Sequence, residues 1–302
     1  MASPQAEALK AAMRAFRDSV VPDGPPPTLE QQRAGAEAGM AAMGVMPEGV
    51  SVTELVANGV PGLWIEPAGA AKDRAVLYLH GGGYVVLSAR SHVRLAAGIA
   101  VSAGCPVLSL DYRLAPEHPH PAAVEDALAG YRWLLERGLA PGRIAISGDS
   151  AGGGLTVATL LAARDAALPQ PVAAVPLSPW VDLEGTGESM RTKADTDLIV
   201  GLPGLSSMAD AFIGSGSKRD PLAAPIHADL RGLAPLYIQV GGDETLLDDS
   251  TRLAARAAHA GVDVRLDVFP EMQHVFQTSL GQMPEADDAV ARIGAYLSSR
   301  WA

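Results

Sequence analysis

The 302-residue sequence predicts an α/β fold, a mostly parallel central sheet with helices on both faces. Two observations carry this reading. Apolar runs such as RAVLYLH and CPVLSLDYRL are nearly continuous, as expected of strands buried on both faces. Stretches with apolar residues at helical spacing alternate with them, the pattern of repeated strand–helix–strand units. A hydrophobic content of 48% over this length is enough for a large core.

Taken in order, the first segment to about Met46 is Ala-rich helix broken at VPDGPPP, where Pro22 to Pro27 cannot continue a helix. It predicts two short helices outside the sheet. VSVTELVANG and GLWIEP then read as strands, AVLYLHGGG as a strand stopping at a glycine loop, and RSHVRLAAGIAVSAG as a helix closed by glycine. After the strand CPVLSLDYRL come a helix over AAVEDALAGYRWLLERG, a strand at RIAISGDS, a helix over GGGLTVATLLAARDA and a strand at PVAAVPLSPW. The alternation lapses between Glu184 and Arg219, an insertion expected to pack with the N-terminal helices as a cap. APLYIQVGGDE, a helix over STRLAARAAHAG, the strand VDVRLDVFP and a helix over about Glu285–Ser299 complete the chain. The expected division is 1–48 as N-terminal cap helices and 49–302 as a catalytic domain with a cap insertion at about 184–219.

Composition narrows the function. The formal charge of -11, with no stripe of Lys or Arg, gives no electrostatic footing to nucleic acid or anionic lipid. No window approaches the ~20 apolar residues of a membrane span. MASPQAEALKAAMRAF lacks the basic start and apolar run of a signal peptide, so a cytoplasmic location is expected. The single cysteine, Cys105, has no internal disulfide partner and reads as a small apolar filler.

Chemistry concentrates at GDSAGG, Gly148 to Gly153. A nucleophile elbow needs a strand, a strained turn with serine at its apex and a helix pointing its N-terminus at the reacting oxygen, and RIAISGDSAGGGLTVATLLAAR supplies these in order. Gly148 and Gly152 flank the apex where a side chain would collide. The plainer reading is a strand-to-helix turn capped by Ser150. A nucleophilic serine needs a base. Among seven histidines, His274 alone follows the last strand in a loop, PEMQHVF, while His259 lies in a helix and His118 and His120 in the Pro-rich loop PEHPHP. His92 and His227 have no distinguishing context. The acid should end a strand between serine and histidine in chain order, which leaves Asp243, Glu244, Asp248 and Asp249 open. HGGGY, His80 to Tyr84, offers consecutive backbone donors for an oxyanion, and Ala151 offers the amide next to the serine. A phosphate loop is disfavoured because no GK[ST] follows. No Cys/His cluster suggests a metal, and no cofactor is expected.

HGGGY, DYRLAPEHPHPAAVEDA, GDSAGG, DPLAAP, IQVGGDETLLDDS and MQHVF together resemble the bacterial hormone-sensitive-lipase-like esterases of the α/β-hydrolase fold, from about Ala75 to the C-terminus. The resemblance implies a carboxylesterase acting on short-chain acyl esters, with Ser150 as nucleophile and His274 as base. It places the acid on Glu244, a glutamate where many relatives carry aspartate, with Asp243 as runner-up. It implies an oxyanion hole of Gly81, Gly82 and Ala151, with His80 ordering the loop. Asp149 is expected to hold the elbow, and Asp111, Arg113 and Glu117 to form an internal polar network. A homodimer is compatible with the family. Hydrolysis of amides or lactones by the same triad, or a binding protein on an inactive hydrolase, are the competing functions.

Overall fold

The computed structural model describes residues 2–19 and 27–301. The break expected over Pro22–Pro27 lies, but for Pro27, outside the described residues. Helix α1 spans Pro4–Ser19 and α2 spans Leu29–Ala41. A capping box starts α2: Gln31 N–H donates to Thr28 Oγ1 at 3.2 Å and Thr28 N–H to Gln31 Oε1 at 2.9 Å, satisfying two orphan donors of the first turn. No side chain of α2 is fully buried, so tertiary contacts must hold it in place.

Eight strands follow: β1 Val50–Ala57, β2 Val60–Pro67, β3 Ala75–Leu79, β4 Val107–Leu110, β5 Ile144–Asp149, β6 Ala173–Leu177, β7 Leu236–Gly241 and β8 Val264–Phe269. They form one sheet in the order β1-β2-β4-β3-β5-β6-β7-β8. β2 runs antiparallel to both β1 and β4, and every pairing from β4 through β8 is parallel. Strands β3 to β7 are buried along their whole length, which is why they read as unbroken apolar runs rather than alternating ones. Helices α3 Val93–Ala103, α4 Ala122–Glu136, α5 Ala151–Asp165, α8 Leu247–His259 and α9 Pro284–Arg300 cover the two faces. Gly104 ends α3 in the left-handed conformation, φ 63°, as its C-terminal glycine suggested.

The insertion holds a single turn, α6 Ser189–Thr192, and one substantial helix, α7 Leu202–Ile213. Tyr84 of the glycine loop stacks on Phe212 of α7, ring centroids 3.7 Å apart, which lays this helix over the loop. Cys105 is fully buried and its thiol is pushed up to about 12, chiefly by burial, so it behaves as the filler the sequence suggested. Among the described residues no helix is long and apolar enough to cross a membrane.

Candidate active site

Parallel strands deliver their carboxyl ends to one rim, where loops can gather side chains distant in sequence. At that rim β5 gives way to α5 through Ser150, whose backbone sits at φ 54°, ψ -119°. A non-glycine residue in that region stores on the order of 1–3 kcal/mol and persists only when its surroundings over-determine it. They do so here. A Cβ on Gly148 would lie 2.4 Å from Gly152 O, and one on Gly152 would lie 2.0 Å from Leu79 O, so helix and strand close in too tightly for any side chain. Ser150 N–H donates to Leu177 O at 2.8 Å, and Ser150 O accepts from Gly154 N–H and Trp180 N–H.

The hydroxyl meets an imidazole. Ser150 Oγ lies 2.9 Å from His274 Nε2, and His274 Nδ1 lies 2.7 Å from Glu244 Oε2. His274 reaches the serine because the chain leaving β8 turns back over the rim, with Val275 next to it at φ 49°. Glu244 is fully buried three residues beyond β7. Its Oε1 accepts from the Ser178 hydroxyl at 2.6 Å and from Gly241 N–H. Burial pushes this carboxyl up, against the pull of His274, Ser178 and Gly241. Burial pushes His274 down, but the Glu244 charge and hydrogen bond outweigh it and carry the imidazole above its ordinary value.

The other carboxylates turn elsewhere. Asp243 faces Lys193, its Oδ1 3.9 Å from the ammonium. Asp248 accepts from Ser189 N–H at 2.9 Å, and Asp249 from Val181 and Asp182 N–H, each at 2.9 Å.

Gly81 departs from its expected part. Its N–H donates to Asp149 Oδ1 at 3.1 Å and is therefore spoken for. Among the described residues no acceptor takes the N–H of Gly82, Gly83 or Ala151, so the free donors are the second and third glycines and the residue after the serine. Gly82 turns at φ 110°, where a Cβ would sit 2.0 Å from Val86 O. Asp149 ties this loop to β5 rather than holding the elbow itself: besides Gly81 it accepts from Tyr78 Oη at 2.6 Å, and its Oδ2 lies 3.3 Å from His92 Nε2. His80 stacks on Tyr112 with centroids 4.2 Å apart, and Tyr112 Oη donates to His80 O at 2.6 Å. Burial, then the His92 charge, push His80 down to about 3, so it is a neutral ordering group.

The expected network of Asp111, Arg113 and Glu117 is three separate contacts. Asp111 accepts from Ala89 N–H at 2.7 Å. Arg113, 43% exposed, forks onto Asp126 and reaches Glu125. Glu117 pairs with Arg33 of α2. The chain turns over 115–117 after leaving β4, so side chains close together in sequence meet different neighbours.

Outside the triad, Asp182, Glu184 and His227 bring one ligand atom each within 4.8 Å of one another. Arg252 lies 2.8 Å from Asp182 and Arg219 2.8 Å from Glu184, so arginines already supply the positive charge a cation would bring.

Sequence reasoning passed over Ser178 and His92. Ser178 follows β6 in LSPW, and only its position at the carboxyl end of the strand beside β5 could have drawn attention to it. His92 lies in a helical stretch with nothing to mark it as the partner of Asp149.

The α/β-hydrolase-fold family matches this chain over residues 76–278, which takes in the glycine loop, the elbow and the base. An acetyl-hydrolase of Streptomyces hygroscopicus is 46% identical over 78% of this chain and 78% of its own length. An esterase of Acinetobacter venetianus is 34% identical over 77% of each chain. The crystal structure of an esterase from the bacterial hormone-sensitive lipase family superposes with a TM-score of 0.94 at 46% identity, covering 100% of both chains. With sheet order, elbow and likeness in agreement, the chain belongs to the α/β-hydrolase-fold family, within its bacterial hormone-sensitive-lipase-like branch.

Proposed function

We propose that this protein is a serine carboxylesterase that cleaves short-chain acyl esters through an acyl-enzyme. The observation that carries the reading is the unbroken relay from a hydroxyl on a strained turn to a buried carboxylate, 2.9 Å then 2.7 Å. Ser150 Oγ attacks the ester carbonyl carbon while His274 Nε2 takes the hydroxyl proton. The carbonyl electron pair moves onto oxygen, which receives the N–H groups of Gly82, Gly83 and Ala151. Collapse breaks the bond to the alcohol oxygen, and His274 returns its proton to that leaving group. Water then repeats the sequence on the acyl-enzyme, releasing the carboxylic acid and restoring Ser150. Glu244 keeps the proton of the resting imidazole on Nδ1 and offsets the imidazolium charge.

A short acyl group accords with the acetyl-hydrolase relative. It also accords with α7, whose Met208 Sδ lies 2.1 Å from where a Cβ on Gly83 would stand, so the helix crowds the glycine loop. Residues 1–48 and the insertion at 184–219 form the cap in this reading. Ile199 of the insertion and Leu9 and Met13 of α1 line one small cavity beside His274.

The test is covalent labelling by a fluorophosphonate together with turnover of aryl acetate, butyrate and laurate and of matching anilides. Ser150 should be labelled and S150A left unlabelled, with acetate and butyrate cleaved faster than laurate and the anilides slowest. A folded wild type that takes no label would be a binding protein on a hydrolase scaffold. Anilides outpacing esters would make it an amidase.

A further inference from the structure

The stretch from Thr196 to Val200, between α6 and α7, is fastened on one side to the neighbour of the acid and on the other to the neighbour of the base. Asp197, 5% exposed, sits in the middle. Its Oδ1 accepts from Ile199 N–H at 3.0 Å and Val200 N–H at 2.8 Å, which folds the stretch into a tight loop. Its Oδ2 accepts from Thr245 N–H at 2.7 Å and Thr245 Oγ1 at 3.0 Å, and Thr245 follows Glu244 in the chain. Gln273, which precedes His274, is 4% exposed. Its Oε1 accepts from Leu198 N–H at 2.8 Å and its Nε2 donates to Thr196 O at 3.0 Å. Two buried side chains thus staple one five-residue loop to both catalytic segments. Each staple makes two hydrogen bonds and so fixes orientation as well as distance.

We propose that Asp197 and Gln273 are positioning residues that make this loop a strut holding Glu244 and His274 in register, so that the seating of the insertion is felt as alignment of the base. The proposal rests on the triad reading above. Its physical basis is that the imidazole and its acid come from separate loops after β7 and β8, joined by the 2.7 Å contact itself, by Asp243 N–H donating to Met272 O at 3.1 Å and by the Ser178 hydroxyl, which donates to Glu244 and accepts from Val275 N–H. The strut adds a further bridge between those loops, through the insertion. Misplacement of a catalytic group by about 1 Å can cost roughly 100-fold in rate, so such a bridge has kinetic consequences. The groups that bear on His274 are Glu244, Asp197 and Asp149, each of whose negative charge raises it, with Lys10 of α1 and Glu271 lining the cavity beside it.

The experiment compares D197N, Q273A and the double variant with wild type, counting competent sites by fluorophosphonate titration. S150A and H274A test the underlying triad. D197N keeps an acceptor for the loop but turns an amide N–H₂ towards the Thr245 donors. Each single variant should lower kcat by roughly 10- to 100-fold with KM changed less than about twofold, because alignment is lost and ground-state binding is not. The double variant should fall short of the product of the two, since each staple depends on the same loop. In D197N the acid limb of kcat/KM should move to lower pH, because removing a nearby anion makes His274 easier to deprotonate; a merely structural role would leave it in place. Native kcat and pH profile in folded D197N would overturn the proposal, as would single effects that multiply in full. Should D197N not fold, Q273A decides alone: native kcat overturns the strut, and lowered kcat at unchanged KM supports it. Retained turnover in S150A or H274A would overturn the triad reading and the strut with it.

Discussion

Burial raises the Glu244 carboxyl, and three donors oppose that rise: His274 Nδ1, Ser178 Oγ and Gly241 N–H. The resulting anion lifts His274 above the ordinary imidazole value of about 6.5. Since a proton on His274 removes the base, activity is present above its pKa and lost as pH falls through it. The acid limb of kcat/KM, which reports the free enzyme, should therefore lie above about 6.5. E244Q should lower kcat by roughly 10³-fold or more and move that limb to lower pH, through loss of the charge and of the enforced tautomer. D243N, which alters only a partly exposed group facing Lys193, should leave both in place. The reverse outcome, with D243N inactive and E244Q unimpaired, would reassign the acid. Asp243 and Glu244 look equivalent in sequence because adjacent residues share every local cue; the direction in which each leaves β7 separates them.

At the scale of elements, the loop after β3 and the elbow after β5 act together, since Asp149 on β5 holds Gly81 and leaves the next two amides free. Gly82 at φ 110° cannot accept a Cβ without driving it into Val86 O. G82A should cost kcat on the order of 100-fold, about 3 kcal/mol, with far-UV circular dichroism unchanged. Gly204 in α7 makes the contrast, for a Cβ there meets nothing within 4 Å. G204A should raise thermal stability by up to about 1 kcal/mol through helix propensity and leave turnover alone. Equal losses in both variants would mean that the glycine loop has no special part in the reaction.

Over the whole molecule, polar clasps fasten the N-terminal helices beside the apolar packing of Ala6, Leu29 and Ala36. Arg33 of α2 donates through Nε to Val85 O at 2.9 Å and through Nη2 to Ala115 O at 3.0 Å, and forks onto Glu117 at 2.7 Å. Val85 N–H in turn donates to Gly82 O at 3.0 Å, so the clasp reaches the glycine loop. Just before α1, Ser3 N–H and Oγ donate to Glu285 at the start of α9. Because α2 buries no side chain fully, R33A should loosen the cap without unfolding the sheet. Limited proteolysis within residues 1–48 should accelerate and KM should rise several-fold, with the main thermal transition shifted by no more than about 4 °C. E117Q should do much less, since it removes only an exposed ion pair worth about 0–1 kcal/mol and leaves two carbonyl contacts. Unchanged proteolysis and KM in R33A would show that the cap is held by other contacts.

Much of this was legible along the chain because it rests on local physics. Buried strands must be apolar on both sides, and the turn at Ser150 needs Gly148 and Gly152, so RIAISGDSAGGG and RAVLYLHGGG announce their elements wherever the rest of the chain goes. The histidine was readable for a related reason: a loop following the last parallel strand must leave from the same rim as the elbow. What sequence could not resolve depends on direction. Whether Asp243 or Glu244 faces His274, whether Gly81 N–H is free or taken by Asp149, and whether Glu117 turns inward or out to Arg33 are each decided by side-chain vectors and by partners 30 to 84 residues away. Ser178, His92, Asp197 and Gln273 carry no local mark at all, because a hydrogen bond between loops exists only once the sheet has brought them together.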